Sequence, residues 1–68
     1  MTTATLHNIL SSTPDFARVI VACLTAAEAK AVCAAAVAEG EIPADVAQAV
    51  GPRAALDQMV DVYEDMSA

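Results

Sequence analysis

Aromatic side chains are almost missing from this chain: one Phe, one Tyr and no Trp in 68 residues. Basic residues are scarce as well, three Lys and Arg against nine Asp and Glu, for a net charge of −6. A nucleic-acid binder needs a basic footprint to neutralise phosphates, so direct nucleic-acid binding is excluded. Glycine occurs twice and proline three times, leaving no Gly-rich phosphate loop and no Pro-rich linker. Two cysteines are too few for a disulfide-dense scaffold. With only the distant His7 beside them they do not supply the four close ligands of a zinc site, and no metal or other cofactor is expected. The best candidate for a membrane span, Val19 to Ala27, is nine residues long before Glu28 interrupts it, against the roughly 20 that a span requires. No basic region precedes a long apolar stretch near Met1, so no secretory leader is expected. The expected setting is cytoplasmic, with reduced thiols.

What the chain has is alanine, at seventeen positions, and an overall hydrophobic content of 57 %. That content excludes a disordered solvating tail. Only sixteen residues are Val, Ile, Leu or Phe, so the core is assembled from small pieces. Domains of this size bury little apolar surface, and burial barely exceeds chain entropy.

The local signals are helical throughout, and they predict an all-α fold: a small compact bundle of four to five short helices, with residues 1–68 forming a single domain. The first helix runs from about Thr3 to Ser11, with Leu6, Ile9 and Leu10 on one face. Thr13 caps the second, with Pro14 at its first position and Asp15 in its first turn. That helix runs to about Leu24 on a stripe of Phe16, Val19, Ile20 and Cys23. Thr25-Ala26-Ala27-Glu28 reads as a capping box opening a third helix, which Gly40 stops. Its middle is apolar all round, which places it centrally. Pro43 opens a fourth helix, carrying Val46 and Val50 and closing at Gly51. Pro52 opens a fifth, running to about Met66 on a stripe of Leu56, Met59, Val60 and Tyr63. Phe16 and Tyr63 fit the core, Cys23 and Cys33 read as buried small hydrophobes, and Arg18 and Arg53 read as local partners for acids.

The charge is uneven. Residues 1–38 hold two acids and two bases, whereas residues 39–68 hold seven acids and Arg53, the entire net −6. In the fifth helix Asp57, Asp61 and Asp65 recur every four residues, about 6 Å apart along one face, with Glu64 beside them. Like charges at this spacing weaken a helix, and acids in a last turn oppose its dipole. Rules broken in this way point to function. A solvated face that keeps an Ala-rich chain soluble is the plain account. The sharper one is a protein-binding surface, in which regularly spaced carboxylates imitate a phosphate backbone and occupy the groove of a larger, basic nucleic-acid-binding protein. Its candidate contact residues are Asp57, Asp61, Glu64 and Asp65, with Glu39, Glu41 and Asp45 as a second patch. Small acidic inhibitors that phages direct against restriction or CRISPR systems offer an analogy of size and charge. The alternative is an assembly module that docks, or pairs with a second copy, through the Ala-rich third helix or the fifth-helix stripe.

An enzyme is not expected. Acids on one convex face do not flank a cleft as hydrolase carboxylates do, and neither cysteine has a cation or second histidine to activate it. Acyl carrier proteins are also small, acidic and helical, but Ser11 and Ser12 follow Leu10 where that family attaches its group at a Ser after Asp. A helix-turn-helix reading fails because Lys30 alone would face the phosphates.

Overall fold

Four threonine- and glycine-based corners, at Thr13, Thr25, Gly40 and Gly51, organise the chain, and each satisfies backbone groups that a helix end leaves unpaired. The computed structural model describes residues 2–67. Helix α1 spans Thr2–Ser11. At its end the hydroxyls of Ser11 and Ser12 both donate to the Asn8 carbonyl. Thr13 Oγ1 then accepts from the Phe16 amide, with Pro14 and Asp15 in the first turn, and α2 follows over Pro14–Cys23. Helix α3, Ala26–Ala38, opens on the full capping box. The Glu28 amide donates to Thr25 Oγ1 at 3.1 Å, and the Thr25 amide donates to Glu28 Oε1 at 2.8 Å. That amide, joined by the Thr25 hydroxyl, holds the Glu28 carboxyl below its ordinary pKa.

Helix α3 stops at Gly40, whose φ of 78° is open to glycine and strained for other residues. The Gly40 amide reaches the Val37 carbonyl and the Glu41 amide reaches Ala36, the paired bonds of a Schellman ending. A short α4, Ala44–Val50, and a long α5, Pro52–Ser67, complete the chain. Among the described residues there is no strand. The fold is an all-α bundle, as the sequence pattern predicts.

The core is drawn from four of the five helices. Leu6 and Ile9 come from α1, Ala17 and Val21 from α2, and Ala29, Val32, Cys33 and Ala36 from α3. Ala55, Leu56, Met59 and Val60 come from α5, and Ile42 adds a plug from the loop after Gly40. Helix α5 packs on α2 and α3, and α1 packs on α3 and α2. Helix α4 lies against α5 and buries no residue fully. The accessible surface is 4155 Å², close to the roughly 4,000 Å² that a folded chain of this mass exposes.

Several expectations are corrected. The inward face of α2 is Ala17 and Val21, with Ile20 and Leu24 half-buried, and it does not follow the Phe16–Val19–Cys23 stripe. Phe16 and Val19 stay 59 % and 56 % exposed, and Cys23 is exposed too. The cause is rotational. Arg18 must reach α5, and α2 must offer its last carbonyls to Arg53, which turns the helix by about one residue, ~100°, from the orientation that its largest side chains suggest. Helix α3 is central along one face only, since Ala27, Ala31, Ala34 and Ala38 are exposed. Pro43 is the N-cap of α4, not its first residue, and offers no side-chain acceptor.

Candidate functional site: the acidic edge of α2 and α5

Two arginines on different helices fix how α2 and α5 meet. Arg53, in the first turn of α5, donates to the carbonyls of Val21 and, at 2.6 Å, Leu24, where α2 ends. It therefore caps a helix, where the sequence reading pairs it with an acid. Arg18, midway along α2, reaches the far half of α5, with Nη1 on Glu64 Oε2 at 2.9 Å and Nη2 on Asp61 Oδ1 at 2.8 Å. The two helices consequently run antiparallel. Asp15, one turn before Arg18, stands 3.9 Å from the same guanidinium. Held first by Glu64 and then by Asp61, the Arg18 guanidinium is pushed further above its already high pKa and stays charged.

This arrangement accounts for part of the charge order on α5. A cation in its first turn and acids in its last turn both oppose its own dipole. Relative to α2 the same charges are correctly placed: Arg53 sits at the negative end of α2, and the acids lie beside its N-terminal half. Asp61 and Glu64 thus have a structural role as well as exposure. Their side chains remain 64 % and 52 % accessible.

Asp57 and Asp65 lie one turn either side of Asp61 and are exposed. Neither forms an ion pair or side-chain hydrogen bond among the described residues. On a helical wheel Glu64, Asp57, Asp61 and Asp65 fall within an arc of about 100°. With Asp15 they form one acidic edge along the α2–α5 seam. Five carboxylates against the single guanidinium of Arg18 leave this edge at −4. Asp15 is the member that sequence reasoning missed, because it belongs to the neutral half of the chain. Its spacing of three from Arg18 was the available signal.

The second patch is separate. Tyr63, about 160° from Asp61 around α5, donates its hydroxyl to Glu41 Oε2 at 2.7 Å. Glu39 Oε1 lies 3.1 Å from His7 Nε2, tying the end of α3 to α1. Asp45, in the first turn of α4, is exposed and unpaired among the described residues. Glu39, Glu41 and Asp45 therefore face a different side of the bundle from Asp57, Asp61, Glu64 and Asp65.

The bond to Glu41 keeps the Tyr63 phenol protonated and raises its pKa above the ordinary value, with burial adding to the effect. A raised pKa of this kind stabilises the fold below the ordinary tyrosine range, and the contribution is lost as pH rises through the folded value. Tyr63 is the only tyrosine, so phenolate absorbance reports it alone. The expected titration midpoint lies above that of the unfolded chain, and Glu41→Gln moves it back down.

Melting curves separate the two kinds of acid on α5. Asp61→Asn is expected to lower the melting temperature, because Arg18 loses a carboxylate. Asp57→Asn and Asp65→Asn are expected to leave it unchanged or raise it slightly, since they relieve repulsion and, for Asp65, the dipole conflict.

Among the described residues no group of His, Cys, Asp and Glu is arranged to hold a metal ion. No described helix is long and apolar enough to cross a membrane. A cleft of about 60 Å³ opens between Ile9, Leu10, Pro14, Ala17 and Val60. Its hydroxyls, from Ser12 and Tyr63, are both engaged, on Asn8 and Glu41. The fifth-helix stripe offered as an assembly surface is consumed in the core. The alanine flank of α3 remains open.

No protein-family model matches the chain, and no curated protein or solved structure is similar to it at a significant level.

Proposed function

We propose that this chain is a small acidic protein-binding module, an inhibitor or adaptor, whose α2–α5 edge occupies a basic groove on a larger nucleic-acid-binding protein. The observation that carries this reading is the surplus at that edge. After Arg18 is counted it keeps four negative charges, and Asp57 and Asp65 do nothing for the fold. Asp57, Asp61 and Asp65 step along α5 at intervals of about 6 Å and meet Lys or Arg side chains that otherwise bind phosphates. Opposite fields make such an association fast and salt-sensitive. Glu39, Glu41 and Asp45 face elsewhere and form a second contact only with a partner that wraps the bundle.

The test is a tagged pull-down of the wild type and of the Asp57→Asn/Asp65→Asn double variant, which leaves the Arg18 clamp and the fold intact. The wild type is expected to retain a basic protein that elutes with salt and is displaced by duplex DNA or RNA, and the variant is expected to lose it. The same proteins on both baits, undisturbed by nucleic acid, would sink the proposal.

A further inference from the structure

We draw no further inference here: the strongest candidate, the exposed apolar face of α2 formed by Phe16, Val19 and Cys23, borders the acidic α2–α5 edge, and nothing in the structure shows what covers it.

Discussion

Leu56→Ala leaves little folded protein at 37 °C, whereas Phe16→Ala melts with the wild type. Both replacements remove a large apolar side chain, and hydropathy alone ranks them alike. Leu56 is fully buried, in the run of α5 that faces both α2 and α3. Its loss removes transfer free energy and leaves a cavity, together about 2–5 kcal/mol. A chain of this length has a total stability of roughly 3–10 kcal/mol, so one such change takes up much of the margin. Phe16 is 59 % exposed and caps no cavity, so its change falls within about ±0.5 kcal/mol. Thermal melts by circular dichroism distinguish the two. Equal losses would mean that α2 presents Phe16 inward.

Arg53→Ala is the second large effect. Its guanidinium donates two hydrogen bonds to the carbonyls that close α2 and is part-buried there. Hydrogen bonds involving a charged group contribute about 1.5–3 kcal/mol. Removal leaves the Leu24 carbonyl without its donor and takes the cation from the negative end of α2. For a domain this small that lowers the melting temperature by on the order of 10 °C. Arg53→Lys is expected to recover only part of the loss, because an ammonium lacks the fork that spans both carbonyls. Full recovery by Lys would show that charge at the α2 terminus suffices without the paired geometry.

These two residues also show which parts of the fold the sequence makes legible. Helix ends are local matters. Thr13-Pro14-Asp15, Thr25 with Glu28, Gly40 and Gly51 each announce a boundary through bonds that span only a few residues, and the five helices follow. The stripe of α5 is legible because Leu56, Met59, Val60 and Tyr63 recur over about two turns and Asp57, Asp61 and Asp65 mark the other face. The rotation of α2 is a different matter. Over ten residues the stripes Phe16–Val19–Cys23 and Ala17–Val21 have the same period, and side-chain size favours the first. The choice is made by partners far away in the chain: Arg18 with Asp61 and Glu64, at separations of 43 and 46 residues, and Arg53 with Val21 and Leu24. A single helix contains none of that information.

The same separation governs the candidate site. The regular spacing of Asp57, Asp61 and Asp65 is visible along α5. That one cation on α2 engages the middle of the row, leaves its two ends free and adds Asp15 appears only when the helices are assembled. Broken helix rules on α5 therefore have two sources. Asp61, Glu64 and Arg53 serve α2, and only Asp57 and Asp65 remain as charge without a structural use. Function, on this account, rests on the residues that the fold does not need.

The most direct measurement is the affinity of the captured basic partner for the wild type and for Asp57→Asn/Asp65→Asn, by isothermal titration at several salt concentrations. The account predicts that wild-type affinity falls steeply as salt rises, that the double variant binds at least about tenfold more weakly, and that the two curves converge at high salt, where surface charge is screened. Equal affinities for both proteins, flat in salt, would contradict it and assign the acidic edge to solubility alone.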